Sequence, residues 1–222
     1  MIKIENYDVM GWEHAIRGMR NPMNSWDKSD SQFYKGYIDI IGENDLNLMR
    51  KLAKAGTDHR KFMRMIVVYV DITAPLYWWK EFDTYKVATV ANSCSTMHKI
   101  ADKEFTLDDF SHEHLIEHHC FVAGTNTISI MSSVSFLKMT CDTLNIFRKC
   151  YLKTKDKKYW WQMIQLLPSS YNQKRTIMLN YEVLANIYKS RKNHKLDEWH
   201  EFCDWIKKLP YSELITGEFE EE

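Results

Sequence analysis

The chain has 222 residues, a length suited to one large domain. Its 30 basic and 30 acidic residues cancel, which removes an overall electrostatic grip on nucleic acid and leaves room only for a local basic patch. Hydrophobic residues at 45%, with only seven Gly and four Pro, exclude disordered and linker-rich architectures. Eight Trp, twelve Tyr, ten Phe and twelve Met imply a bulky core or an aromatic-lined pocket.

Residues 2–10 alternate weakly and read as an edge strand. Trp12 to Arg20 read as a short helix stopped by Asn21-Pro22. Residues 22–41 show no clear period. A helix follows, with Asn44 or Asp45 as its cap, Leu46, Leu48, Met49, Leu52 and Ala53 as its apolar face, and Gly56 as its C′ residue. Met65 to Thr73 is the best strand in the sequence, β-branched, short, and expected to be buried on both faces. Ala74-Pro75 ends it, and Pro75 suits the start of a helix through Leu76 to Phe82.

Residues 106–120 predict a helix capped by Thr106, and 126–152 a longer one with an indistinct start. Helices are also predicted at 156–167, 180–190 and 196–207, with an extended segment at 171–179. Glu218 to Glu222 reads as a solvated acidic tail. The expectation is one helix-rich α+β domain over residues 1–222, around a small, mainly antiparallel sheet.

Five cysteines, with no C-x-x-C pair, indicate neither a disulfide framework nor a zinc ribbon. Reduced, cytoplasmic thiols are the simplest reading. Met1 to Glu5 carries no signal pattern, and no run of about 18 uncharged apolar residues suggests a membrane span.

Four stretches could carry chemistry. Gly56 to Arg64 puts His59 among Arg60, Lys61 and Arg64, a phosphate holder or a solvated basic turn. Trp78 to Thr96 follows an aromatic helix with small hydroxylated residues, either ligand donors or a polar loop. Asn180, Asn186 and Arg191 share a predicted helix. Residues eleven apart lie about 20° apart around a helix, so Asn180 and Arg191 would share a stripe able to read a planar ring, or would serve as a cap and a surface Arg. His114 and His118 are spaced as a metal pair on a helix within 112–119, but no third ligand can be named, and no metal is assigned.

In order along the chain, these segments resemble the flavin-dependent (ThyX-type) thymidylate synthases, from about Gly56 to Ser95 and from about Leu166 to Trp205. The second stretch holds Leu167-Pro168, then Asn180, Asn186 and Arg191, then His194 and Glu198-Trp199. The resemblance implies a ThyX-like fold and reductive methylation of dUMP to dTMP, with methylenetetrahydrofolate and NADPH as co-substrates and FAD as cofactor. It also implies a homotetramer with active sites between subunits, no nucleic-acid partner and no membrane. By the same resemblance, Arg191 is the catalytic arginine that polarises the uracil. His59, Thr84, Tyr85, Lys86, Asn180, Asn186 and His194 fall to the cofactor, and Glu81, Asn92, Ser93, Cys94, Ser95 and Arg191 to the nucleotide.

The family's hallmark R-H-R-x-x-S-x-N-E-x-S-x-R is eroded between Thr84 and Thr96. Lys86 keeps one cation and Thr89 a hydroxyl, and a one-residue shift recovers Asn92 and Ser95. Ile164 and Glu182 stand where the family has arginines, with Arg60, Lys61 and Arg64 as the cations available to compensate. The erosion motivates an alternative: a non-catalytic ThyX-like nucleotide-binding or assembly protein. A metal-dependent hydrolase built on residues 112–119 is the third reading.

Overall fold

The computed structural model describes residues 2–34 and 37–219. In chain order the elements are β1 (Lys3–Met10), α1 (Trp12–Arg20), β2 (Gln32–Tyr34), β3 (Tyr37–Ile40), α2 (Glu43–Lys54), β4 (Val67–Pro75), α3 (Leu76–Phe82), β5 (Val90–Ser93) and α4 (Thr96–Lys99). They continue with α5 (Ser133–Thr154), α6 (Lys157–Leu166), β6 (Asn172–Asn180), α7 (Tyr181–Arg191), α8 (Asp197–Ile206) and α9 (Glu213–Thr216). The architecture is helix-rich α+β, with a small antiparallel sheet in the order β1-β4-β6-β5. β2 and β3 form a separate antiparallel hairpin. No helix among the described residues is long and apolar enough to cross a membrane.

The fold divides into two compact units. One comprises residues 73–81 and 93–174, the other residues 2–72, 82–92 and 175–219. The first has its own core, where Phe105, Phe110, Leu137, Leu144 and Met163 pack with Ile100. The second packs Trp12, Met49, Ile66, Tyr181, Trp199 and Phe202, all fully buried. Gly11 precedes α1 with φ +92°, where a Cβ would lie 2.1 Å from the Met65 carbonyl oxygen, so only glycine fits.

Several expectations hold. β1 is an edge strand, α1 and α3 match their predicted bounds, and Gly56 adopts φ +97° just past α2.

Others are corrected. β4 buries one face: Val68, Val70, Ile72 and Ala74 point inward, while Tyr69 is 40% exposed and Asp71 accepts hydrogen bonds from Asn6 and Thr176. Asn44 and Asp45 do not cap α2. Their backbone N–H groups donate instead to the Asp30 carboxylate (3.0 and 3.2 Å), fourteen and fifteen residues earlier. The Asp45 carboxylate is fully buried and receives Arg20, Ser29 and Ser31, so one acid pins the 29–31 segment to both helices.

The predicted 106–120 helix is one 3-10 turn, Leu107–Asp109. Phe110 turns extended, is drawn into the core and bridges to Tyr171, so tertiary pairing overrides the local signal. His114 and His118 therefore share no helix face. Residues 126–131 are not helical either. The β-branched residues there resist a helix, Phe121 bridges to Ile128, and α5 begins after Ser132, whose hydroxyl accepts from the Ser135 N–H. Of the predicted acidic tail, Glu218 accepts a hydrogen bond from the Tyr188 hydroxyl (2.8 Å), and Glu220 to Glu222 lie outside the described residues.

Candidate functional site

α7 organises the candidate residues. Asn180 is its N-cap: the side-chain oxygen accepts from the Val183 N–H at 3.0 Å, and the residue is buried. Its backbone is extended, not helical (φ −133°, ψ 170°), so the stripe expected between Asn180 and Arg191 does not form. The two residues stand at opposite ends of the helix.

At the carboxyl end, Arg191 is half-buried. Its Nε donates to the Tyr85 hydroxyl at 2.9 Å. Its guanidinium carbon lies 4.8 Å from the centre of the Trp199 ring and 5.6 Å from that of Tyr85. Trp199 is fully buried, stacked near Phe82 and edge-on to Tyr85, Phe202 and His194. His194 closes the same corner: its N–H donates to the Arg191 carbonyl, and its Nδ1 accepts from the Leu196 N–H, which leaves any proton of the neutral ring on Nε2. The arginine is thus held on an aromatic floor with one fixed donor committed to a phenol.

Beside this corner, Tyr85 and Lys86 line a 350 Å³ cleft with Phe82, Asp83, Thr89 and Ala91. The Thr89 hydroxyl oxygen is shielded from solvent and has no hydrogen-bond partner among the described residues. A buried hydroxyl without a partner costs about 1–3 kcal/mol. Placed next to the Lys86 cleft, it suits a ligand oxygen or ring nitrogen. Asp83 of the lining is held by an ion pair with Arg175 at 2.8 Å. Ala88 enters the left-handed region (φ +60°) in this turn, a strained conformation for a residue with a Cβ.

The other face of α7 carries a second cluster. Glu182 is buried and takes the Arg60 guanidinium on both oxygens, at 2.8 and 3.2 Å. Arg60 Nη2 also donates to the Asn186 side-chain oxygen at 3.3 Å. A guanidinium therefore does stand against Glu182, and it comes from Arg60. Glu182 and Asn186 are one turn apart, whereas Arg191 is nine residues from Glu182, about 180° around the helix. His59 is exposed at the start of the Arg60–Arg64 turn.

Thr84 and Asn92 are exposed, in the loop after α3 and on β5. In the other unit, Glu81 is half-buried at the end of α3, and Ser93 is exposed. Cys94 is held by backbone bonds, its N–H to the Lys174 carbonyl and its carbonyl to Gln173 Nε2, both 2.9 Å. Ser95 Oγ caps α4 by accepting from the His98 N–H. Burial pushes the Cys141 thiol up and that of Cys203 up to about 11, so these two stay protonated.

Sequence reasoning did not assign Trp199 as the floor under Arg191 or Arg60 as the partner of Glu182. The first was visible only as an aromatic eight residues on. The second pair is separated by 122 residues and left no local signal.

The architecture is of one fold class: the α+β fold of the flavin-dependent thymidylate synthases. No known family profile matches the sequence, and no curated protein sequence does. The likeness lies in three dimensions. Thymidylate synthase ThyX of Helicobacter pylori, solved with FAD and dUMP, superposes with a TM-score of 0.64 at 16% identity, over 98% of this chain and 96% of that chain. The UMP/dUMP methylase PolB of Streptomyces cacaoi, bound with 5-Br dUMP, gives a TM-score of 0.61 at 13% identity, over 98% and 95%.

Proposed function

We propose that this chain is a divergent flavin-dependent enzyme of the thymidylate synthase type, which methylates dUMP to dTMP with methylenetetrahydrofolate and NADPH. One observation carries the reading: in a ThyX-like fold, Arg191 is braced by Tyr85 and Trp199 beside a cleft holding Lys86 and an unsatisfied Thr89 hydroxyl. A braced guanidinium at the edge of a uracil offsets negative charge on the ring as C5 becomes nucleophilic, without reorganising. No cysteine nucleophile is then needed. Lys86 and Thr89 offer a cation and a hydroxyl to anionic or carbonyl oxygens of the nucleotide. Of the remaining nucleotide candidates, Ser95 and Cys94 offer backbone and hydroxyl groups already used locally, so Asn92, Ser93 and Glu81 are the side chains to test there.

The residues fit a flavin on the other face of α7: Asn186, Arg60 and His59 supply an amide, a guanidinium and an imidazole. When bound, FAD supplies the hydride that reduces the transferred carbon unit. Asn180 contributes by fixing the helix start rather than through its capped oxygen. Thr84, Tyr85, Lys86 and His194 stay with the Arg191 corner. Because the two groups lie on opposite faces of one helix, a second copy of the chain is the natural way to bring them to one ligand, in keeping with a homotetramer. The cytoplasm fits such an enzyme and its free cysteines.

Visible spectroscopy and C5 proton release test the proposal. The expected result is a yellow protein that releases the C5 proton of dUMP when given NADPH and methylenetetrahydrofolate. The alternative, a non-catalytic nucleotide-binding or assembly protein, draws on the capped Asn180 and the exposed signature loop. A colourless protein that binds dUMP but no added FAD would establish it.

A further inference from the structure

One cavity in the second unit has no part in the Arg191 corner. It measures 620 Å³ and lies against the end of α2, the Gly56–Thr57 turn, α7 and the segment that follows α9. Four cations line it, Lys54, Arg60, Lys189 and Lys192, and among the described residues no acidic side chain is in its lining. Arg60 is neutralised by Glu182. The three lysines are paired with no carboxylate among the described residues: Lys54 sits 4.5 Å over the Phe219 ring and Lys192 5.6 Å from that of Tyr188. Like charges around one concavity repel, and a multivalent anion relieves all three at once.

The chain already brings one carboxylate to this rim. Glu218 accepts from the hydroxyl of Tyr188, a cavity-lining residue, and Phe219 beside it meets Lys54. Glu218 thus offers a negative charge next to the lysine cluster, and Phe219 takes up one of its ammonium groups.

We infer that this cavity binds the phosphate chain of a nucleoside polyphosphate, and that Glu218 and Phe219 compete with it for the same cations. Arg60 and Asn186, proposed above for the flavin, also line the cavity, and the phosphate site falls to the three lysines beside them. A phosphate chain carries several charges in a span that three lysines can share, and lysine serves phosphate as a mobile point charge. A monophosphate would satisfy fewer of them.

Calorimetric titration with inorganic triphosphate tests the site, and a nucleoside triphosphate in parallel separates recognition of the phosphate chain from recognition of a base. Triphosphate is expected to bind with affinity that falls steeply with salt. The Lys189→Glu/Lys192→Glu variant should lose tenfold or more. Glu218→Gln, and a chain ended after Gly217, should each tighten binding threefold or more. Binding should persist in protein saturated with FAD and dUMP, with flavin absorption unchanged by the lysine substitutions. Equal affinity in the charge-reversed and native proteins overturns the inference. So does unchanged affinity in both Glu218 variants, or loss of triphosphate binding on flavin saturation, which would make the cavity part of the flavin's own site.

Discussion

Replacing Arg191 by alanine separates catalysis from folding. The folded state loses the Nε bond to Tyr85 and the contact with Trp199. At a half-buried position the hydrogen bond is worth ~1 kcal/mol and the ring contact ~0.5–1 kcal/mol. The total, about 1–2 kcal/mol, corresponds to a fall in Tm of roughly 2–8 °C for a chain of this size. Loss of a preorganised charge at the transition state costs far more, about 2.7–4 kcal/mol, or ~10²–10³ in turnover. The assay is tritium release from C5-labelled dUMP in the presence of FAD, NADPH and methylenetetrahydrofolate, beside a thermal melt. Arg191→Lys keeps a charge but not the fork that meets Tyr85, so it should recover only part of the rate. Turnover within about threefold of wild type in Arg191→Ala, with the melt lowered as calculated, would refute the catalytic assignment.

Glu182→Gln strands the Arg60 guanidinium and should cost about 2–3 kcal/mol in urea unfolding, at the low end for a buried pair because Arg60 keeps some solvent. Arg60→Met combined with Glu182→Met should recover most of that loss, and a double variant as unstable as the single one would argue against the pair. For Asp45, burial pushes the carboxyl up, but hydrogen bonds from Ser31, Ser29 and Arg20 outweigh it and hold the pKa below its ordinary value. A lowered folded-state pKa contributes stability that is present above the unfolded value and lost as pH falls through the folded one. Acid titration of unfolding free energy should therefore decline below about pH 4 more steeply in wild type than in Asp45→Asn, whose deficit is already present at neutral pH. Lys155 ends α5 in the left-handed region (φ +56°), so Lys155→Gly should raise stability by ~0.5–1 kcal/mol in thermal melts.

Elements governed by local chemistry were legible in the sequence. The α1 stop at Asn21-Pro22, the Gly56 end of α2, and α3 directly after Pro75 follow from backbone restrictions carried by single residues. Elements decided at a distance were not. Phe110 is pulled from a helical pattern by Tyr171, and α2 is capped by Asp30 across fourteen residues. The β2–β3 hairpin sits in a stretch without period. At the candidate site, Arg191, Tyr85 and His194 were named from the resemblance, and the structure brings those three together. The geometric argument for Asn180 failed because a cap residue has left the helix whose spacing it was assumed to follow. Arg60 was one of three cations the sequence offered to compensate for Glu182, but nothing local singled it out from Lys61 and Arg64.

The opposed faces of α7 have a consequence for how such a protein responds to dilution. If Glu182–Asn186 of one chain and Arg191 of another grip the same ligand, ligand occupancy and self-association are linked by mass action. Lowering the protein concentration would then act as an inhibitor, and saturating ligand would hold the assembly together at concentrations where the bare chain falls apart.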